Sequence, residues 1–199
     1  MQFTGVTYQN TELTDLPTFE RLDGELKGFI EQVNGLVAYN GGIQFRGCVK
    51  DPKWISLEEV WTGASALYKT YDILTASDIP FAQDGFGDQF ILRNNVVYRL
   101  SSEYGDLENL DVTLFGFIGE IIKNPVEYLM LAAFNDLYEM GVKLDSGQLI
   151  NVMPPFIIET EETRSYKPVS TFEQLEFLKN IYQQTKNLED GQQIRLDRI

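Results

Sequence analysis

Apolar residues alternate with other residues on both sides of the dipeptide Asn94-Asn95. The alternating positions are Phe90, Leu92, Val96, Tyr98 and Leu100. A period of two is typical of half-buried strands, and asparagine tolerates the positive φ that a tight two-residue turn requires. Residues 79–100 are therefore predicted to form a β-hairpin that turns at Asn94 and Asn95.

Apolar residues spaced three or four apart predict a helix near the start of the chain. Thr14-Asp15-Leu16-Pro17 precedes this pattern, and proline suits a first helical turn. The buried face is expected to contain Phe19, Leu22, Leu26, Phe29, Ile30 and Val33. Further on, Ser56 and Glu59 have the spacing of a capping box, which predicts a helix from Leu57, and residues 64–71 offer a second short helical run.

Two consecutive helices are predicted after the hairpin. Residues 113–122 form the first, whose inward positions are Leu114, Phe117, Ile118 and Ile121. Asn124 and Pro125 end that helix and suit the start of the next, which is expected to continue to Gly141. These helices should pack on the sheet.

The carboxy-terminal part combines an apolar stretch with a final helix. Residues 150–158 contain Pro154-Pro155, which favours an edge strand or extended segment because proline cannot donate to a ladder. A polar loop at 159–167 follows, and Ser170 begins a second capping-box match. The last helix is expected to bury Phe172, Leu175, Leu178, Ile181 and Tyr182. Residues 193–199 are predicted as a last strand.

Glycines mark two further predicted turns. Asn40-Gly41-Gly42 breaks the helical pattern before Ile43-Gln44-Phe45-Arg46 resumes as a strand. In Asp84-Gly85-Phe86-Gly87-Asp88, glycines supply unusual dihedral angles while the aspartates can bond local amides. Both segments are interpreted as structural turns.

Length and composition favour one domain, residues 1–199. The chain has 199 residues, 43% of them hydrophobic, and no repeat or linker divides it. No run approaches the roughly 20 apolar residues that span a bilayer, and the first residues lack a secretory pattern. Cys48 is the only cysteine, so no internal disulfide can form. A cytoplasmic location is expected.

Net charge narrows the classes of partner. Thirty acidic residues against sixteen basic ones give a formal charge of −14. Such a chain repels nucleic acids and anionic membranes and attracts basic surfaces. We therefore expect a protein partner, although acidity that only confers solubility stays an open alternative.

Residue types argue against most enzyme templates. Histidine is absent, which removes the commonest general base and zinc ligand. Cys48, in the segment FRGCVK, has no histidine to serve as its base and is interpreted as a buried structural thiol. We expect no catalytic residue, no cofactor and no metal.

Two acidic groups are the candidate partner contacts. Asp84 and Asp88 could instead ligate a hard cation, but the calcium-loop and phosphate-loop patterns are both lacking. Glu103, Asp106, Glu108 and Asp111 form the second group, which a solvated loop would also explain. The sequence thus offers six tentative contacts.

The order of features resembles the SUKH superfamily. The resemblance rests on the helical start at Leu16-Pro17, on Asn40-Gly41-Gly42, on IPFAQDGFGDQFIL followed by VVYRL, and on TLFGFIGEII before Asn124-Pro125. It implies an α+β fold in which helices flank a mixed or antiparallel sheet. Residues 13–141 would form the SUKH-like core, and residues 142–199 would be a carboxy-terminal extension packed on it.

That resemblance also implies a function. Bacterial members commonly act as immunity proteins, which bind toxin domains such as nucleases and block them. The leading hypothesis is therefore a non-catalytic protein that occludes a basic toxin domain. The alternative is a regulatory scaffold resembling the fungal cell-wall regulators of the Smi/Knr type, and a homo-oligomer stays open.

Overall fold

In the computed structural model, which describes residues 2–189, 191 and 192, seven strands follow one another in chain order across one antiparallel sheet. They are β1 Tyr8–Gln9, β2 Leu36–Ala38, β3 Ile43–Phe45, β4 Ile79–Asp84, β5 Gln89–Arg93, β6 Val96–Leu100 and β7 Leu107–Asn109. Strands β8 Gln148–Met153 and β9 Ser165–Ser170 pair as a separate hairpin. In the larger sheet, β1 and β7 are the edges.

Seven α-helices accompany the strands within the described residues. They are α1 Leu16–Glu20, α2 Gly24–Ile30, α3 Leu57–Trp61, α4 Leu114–Lys123, α5 Pro125–Tyr128, α6 Ala132–Glu139 and α7 Thr171–Thr185. The expected α+β class is confirmed, and every strand pair of the larger sheet is antiparallel.

The hairpin predicted around Asn94 and Asn95 is formed by β5 and β6, where Arg93 pairs with Val96. Asn94 has a φ of 51° and Asn95 a φ of 63°. These left-handed values are those of a type I′ turn, which matches the twist of the flanking strands. Local turn chemistry therefore sets this register.

Both faces of that hairpin are covered, which corrects the predicted alternation. Leu92 pairs with Val97, and Ile91 pairs with Tyr98. Leu92 and Val97 belong to the main hydrophobic core, whereas Ile91, Tyr98 and Leu100 pack in a second cluster. The predicted set mixed the two faces, because a strand buried on both sides loses the simple period of two.

The predicted first helix is in fact two helices. Asp15 caps α1 by accepting a hydrogen bond from the Thr18 amide at 3.3 Å, and Pro17 lies in the first turn as expected. Gly24, at the start of α2, has a φ of 52°, which the regular helical path does not allow. The chain therefore changes direction between α1 and α2.

The two predicted capping boxes have different outcomes. Ser170 Oγ accepts from the Glu173 amide at 3.2 Å, and α7 follows as expected. α3 begins directly after Ser56, but that serine makes no side-chain cap, so its predicted hydrogen bond is wrong. Glu59 instead accepts from Ser65 Oγ at 3.1 Å.

Of the two helices predicted after the hairpin, the first is confirmed, and the second is in fact two shorter helices. The helix expected at 113–122 is confirmed as α4, which buries Leu114, Phe117, Ile118 and Ile121. Residues 125–141 form two helices, because Met130 has a φ of 55° and separates α5 from α6. Gly141, with a φ of 93°, follows the end of α6.

The carboxy-terminal elements pack on the larger sheet. The Ile150 amide of β8 donates to the carbonyl of Gly85 at 2.8 Å. The ring of Tyr182 in α7 lies 4.8 Å from that of Tyr71. These contacts connect β8 and α7 to the loop after β4 and to the second cluster.

The buried face of α7 differs from the prediction at one end. Phe172 is 41% exposed, whereas Phe177 is buried beside Leu178 and Ile181. The apolar part of the buried face begins later than predicted, because Thr171 and Gln174 occupy the inward positions of the first turn. The strand predicted at 193–199 lies outside the described residues.

A buried arginine joins the central strands. Arg46 Nη2 donates to the side-chain oxygens of Gln83 and Gln89, each at 2.7 Å. Its Nη1 donates to the carbonyls of Pro80 and Ala82 at 2.8 and 3.2 Å. Burial lowers the pKa of Arg46 to about 9. The guanidinium therefore serves as an internal connection between β3, β4 and β5.

Candidate functional site

The loop between β4 and β5 is organised by one carboxylate. Asp84 Oδ1 accepts from the amides of Phe86, Gly87 and Asp88 at 2.9, 2.9 and 3.0 Å. Gly87 has a φ of 106°, which suits glycine. Asp84 is only 3% exposed, so its carboxylate holds the turn instead of facing a partner.

Arg99 connects that loop to β6. Its Nη2 atom lies 3.1 Å from Asp84 Oδ2 and 3.2 Å from Asp88 Oδ2. The other oxygen of Asp88 accepts from the Ser102 amide at 2.9 Å. One cation is thus shared by two carboxylates.

The shared cation leaves an electrostatic conflict between Asp84 and Asp88. Burial, followed by the negative charge of Asp84, raises the pKa of Asp88 to about 7. Burial also raises the pKa of Asp84, against the opposing effect of Arg99 and the three loop amides. The pair therefore resists carrying two negative charges at once.

Glu103 has a similar internal role. It is 6% exposed, and its Oε2 accepts from the Ile157 amide at 2.7 Å. Burial raises its pKa. Its carboxylate therefore connects the end of β6 to the segment after β8.

Burial separates the six predicted contact residues into two groups. Asp84 and Glu103 are buried, and the side chain of Asp88 is 24% exposed and already paired. This corrects the expectation that all six face a partner, because neighbouring amides and Arg99 satisfy these carboxylates internally. The exposed members are Asp106, Glu108 and Asp111, which lie on or next to the edge strand β7.

The other predicted turn residues adopt the expected backbone only in part, since Asn40, Gly41 and Gly87 have positive φ, whereas Gly42 and Gly85 do not. Asn40 has a φ of 58° and Gly41 a φ of 106°, within a short 3-10 turn that ends before Gly42. Gly85 has an ordinary φ, but a Cβ atom there would lie 2.6 Å from the ring of Phe134. Gly85 is thus explained by close packing.

An acidic cavity of about 430 Å³ lies between the β5–β7 end of the sheet and helices α4 and α5. Its sheet wall follows one row of paired positions, in which Phe90 opposes Arg99 and Arg99 opposes Glu108. The complete lining is Phe90, Arg99, Glu108, Leu110, Glu120, Asn124, Glu127, Tyr128 and Met130. We call this space the β7–α4 cavity.

Three carboxylates of the β7–α4 cavity have no cationic partner. Within the described part of the chain, Glu108, Glu120 and Glu127 make no ion pair. Asn124 donates to Glu127 through its side-chain amide. Arg99, the one cationic side chain in the lining, is already bonded to two aspartates. The cavity therefore carries excess negative charge.

Two further features distinguish this cavity. The hydroxyl oxygen of Tyr128 is buried and has no hydrogen-bond partner among the described residues. Burial and then the charges of Glu120 and Glu108 raise the pKa of that hydroxyl. At the rim, Met130 is 65% exposed, and its sulfur lies 2.8 Å from Arg99 Nη1.

Sequence reasoning found Glu108 but missed the rest of this lining. Glu120 and Glu127 are seven residues apart, a helical spacing that Asn124-Pro125 interrupts. Arg99, in the middle of an apolar strand, was the one local signal of a buried partner. Only the register of β6 with β7 and the position of α4 bring these residues together.

A second cavity, of about 580 Å³, has a mixed lining. Within it, Lys53 lies 3.8 Å from Glu59, and Arg21 donates to Thr62 at 3.3 Å. Its basic and acidic side chains largely offset one another. This cavity has no comparable excess of charge.

The surroundings of Cys48 disfavour a reactive thiolate. Cys48 is 0% exposed, and burial, with a smaller effect of Asp15, raises its pKa to about 12. The thiolate that would act as nucleophile is therefore disfavoured. Residues 2–189, 191 and 192 contain no group of three or more metal-ligating side chains arranged to hold an ion.

Comparisons with known proteins do not assign this chain to a family. None of the helices in the described residues combines the length and apolar character needed to cross a membrane. Searches of protein-family models and of curated proteins find no match to this chain.

Proposed function

We propose that this chain is a non-catalytic binding protein whose partner is a basic protein domain, and that it acts as an immunity protein which occludes a toxin. The observation that carries the proposal is the β7–α4 cavity, where Glu108, Glu120 and Glu127 have no cationic partner. A lysine- or arginine-rich surface would supply the missing charges. Binding alone performs this function.

The exposed acids extend this complementarity beyond the cavity. Asp106 and Asp111 flank β7, and Glu108 lies within it. Three acidic residues on or beside one edge strand accelerate encounter with a positive surface and disfavour acidic competitors. The formal charge of −14 acts in the same direction.

A nuclease toxin fits this chemistry. Any domain that grips a phosphate backbone presents lysine and arginine side chains, and an acidic protein can cover the same surface. The resemblance to SUKH proteins supports the immunity role within this class. A toxin of another activity but with a basic surface would satisfy the same argument.

Affinity capture from the native cells, followed by a salt titration of the complex, tests the proposal. We expect one stoichiometric basic partner, strong loss of affinity with salt, and protection of cells that co-express a neighbouring toxin. The absence of both the basic partner and the protection would overturn it.

Matched variants locate the effect. Glu108→Gln, Glu120→Gln and Glu127→Gln together should weaken the complex and flatten its salt dependence. Glu159→Gln, Glu161→Gln and Glu162→Gln together change the net charge equally at exposed positions of a distant loop. That control should bind nearly as well as the unmodified chain.

A further inference from the structure

We infer that the β7–α4 cavity receives one arginine side chain from the partner. This inference rests on the proposed function and specifies how the basic partner is anchored. The side chain that enters is a guanidinium with its aliphatic stem, presented by a loop or helix of the partner.

The lining suits a side chain that is apolar along its length and cationic at its end. Leu110 and Met130 offer apolar surface beside the buried ring of Phe90, while Glu108 and Glu120 offer carboxylates. An arginine stem packs on apolar surface while its head remains paired with acceptors. A purely apolar side chain would leave these carboxylates without a cation.

The resident arginine does not fill this role. Arg99 points its Nη2 atom to Asp84 and Asp88, at 3.1 and 3.2 Å, and its Nη1 atom to the sulfur of Met130. Although Glu108 is its neighbour across the strands, the two form no ion pair. The carboxylates of Glu108, Glu120 and Glu127 therefore remain available for an incoming cation.

The charge of the cavity excludes other classes of occupant. A second copy of this chain would bring a formal charge of −14 to a negative surface, and nucleic acid would bring phosphates. Both are repelled. A basic protein supplies the charge of the required sign.

Tyr128 provides an independent reason to expect a donor. Its hydroxyl oxygen is buried and has no hydrogen-bond partner in the described part of the chain, and burial, followed by the charges of Glu120 and Glu108, raises the pKa of this hydroxyl. A neutral phenol oxygen accepts a hydrogen bond. An N–H group of the entering side chain would satisfy this oxygen.

Arginine fits better than lysine because the acceptors are distributed over three elements. Glu108 lies on β7, Glu120 on α4 and Glu127 on α5. A guanidinium has five donors in a plane and can serve several carboxylates at once, whereas an ammonium concentrates its charge at one point.

The test titrates the full chain with N-acetyl-arginine methylamide, N-acetyl-lysine methylamide and N-acetyl-norleucine methylamide while backbone amide resonances are followed by NMR. We expect the arginine probe to shift resonances of β7, α4 and α5, and to bind more tightly than the lysine probe. The norleucine probe should bind least. Equal binding of arginine and lysine, equal binding of norleucine, or shifts confined to another surface would overturn the inference.

Two double variants that each remove two negative charges sharpen this test. Glu120→Gln with Glu127→Gln should weaken binding of the arginine probe by about tenfold or more, since charge-assisted bonds are lost. Glu161→Gln with Glu162→Gln should leave it unchanged. Matching thermal unfolding curves for both variants establish that each is folded, and an unaltered affinity in the first variant would refute the inference.

The affinity of the captured partner for the Glu120 and Glu127 variant distinguishes failure of this inference from failure of the proposed function. If the chain binds a basic partner but the Glu120 and Glu127 variant retains the full affinity, the arginine anchor is wrong and the binding function stands. If no basic partner exists, the proposed function fails, whatever the probe shows. Loss of partner affinity in this variant, together with selective binding of the arginine probe, supports both.

Discussion

Arg46 Nη2 lies 2.7 Å from Oε1 of Gln89, at the centre of the larger sheet. The guanidinium is 1% exposed, and its hydrogen-bond acceptors among the described residues are all neutral oxygens. A charge in this position is tolerated because several carbonyl dipoles converge on it. Removing it would leave those oxygens without their donor.

The first prediction concerns this connection. Arg46→Ala should lower the free energy of unfolding by more than about 3 kcal/mol, because a cavity and several unsatisfied acceptors remain. Lys179→Ala, which removes only a surface pair with Glu176 at 3.1 Å, should cost less than about 1 kcal/mol. Urea denaturation of both variants measures the difference, and similar losses would contradict this account of Arg46.

The second prediction concerns the turn of the β5–β6 hairpin. Asn95 has a φ of 63°, and Asn-Gly is the preferred pair for a type I′ turn. Asn95→Gly should raise stability by about 0.5–1 kcal/mol, whereas Asn95→Val should lower it by about 1–2 kcal/mol because a β-branched residue resists positive φ. Thermal unfolding checks both, and a stabilising valine would refute the turn geometry.

The third prediction separates the cost of a positive φ from the cost of a steric clash. Gly105 has a φ of 77°, and a Cβ atom there would lie 2.2 Å from the Tyr182 ring. Gly141 has a φ of 93° but open space around it. Both alanine substitutions should cost about 1–2 kcal/mol through φ. Overpacking should add about 1–3 kcal/mol for Gly105→Ala alone.

Chemical denaturation of the two glycine variants tests that difference. Equal losses would mean that Tyr182 moves away without cost. A larger loss at Gly141 would contradict the assigned packing of α7 on the β6–β7 loop.

The fourth prediction concerns pH. The pKa of Asp88 is raised from its ordinary value of 3.8 to about 7 in the folded chain, so between these pH values the folded state binds a proton that the unfolded chain releases. Asp88 should therefore stabilise the fold most below about pH 4 and lose this contribution as pH rises to about 7. Unfolding free energies measured from pH 4 to 8 should show the decline.

Asp88→Asn provides the comparison for that series. Its stability should fall less steeply over the same range, because the titrating carboxylate is gone, whereas Asp106→Asn at an exposed position should follow the unmodified chain. An unchanged slope in Asp88→Asn would show that other groups cause the pH dependence.

The parts of the fold that the sequence predicts are those set by neighbouring residues. Asn94-Asn95 fixes its turn by local backbone preference, and α4 has the predicted inward positions because one helical face carries them. The breaks at Gly24 and Met130 were missed. Each depends on one left-handed residue, and nothing in the sequence around Met130 signals that conformation.

The candidate site was only partly predictable for a different reason. Acidic residues were expected to face outward, but backbone amides satisfy Asp84 and Glu103, and Arg99 also pairs with Asp84. Glu108 was identified, whereas Glu120 and Glu127 join it only through packing of helices on the sheet. Long-range geometry of this kind has no local sequence pattern.

The attachment of the carboxy-terminal hairpin has a consequence for sequence variation. The Ile150 amide of β8 donates to the carbonyl oxygen of Gly85 at 2.8 Å. A backbone amide and a carbonyl persist whichever side chains their residues carry. Substitutions at outward-facing positions of this hairpin should therefore leave its connection to the sheet intact.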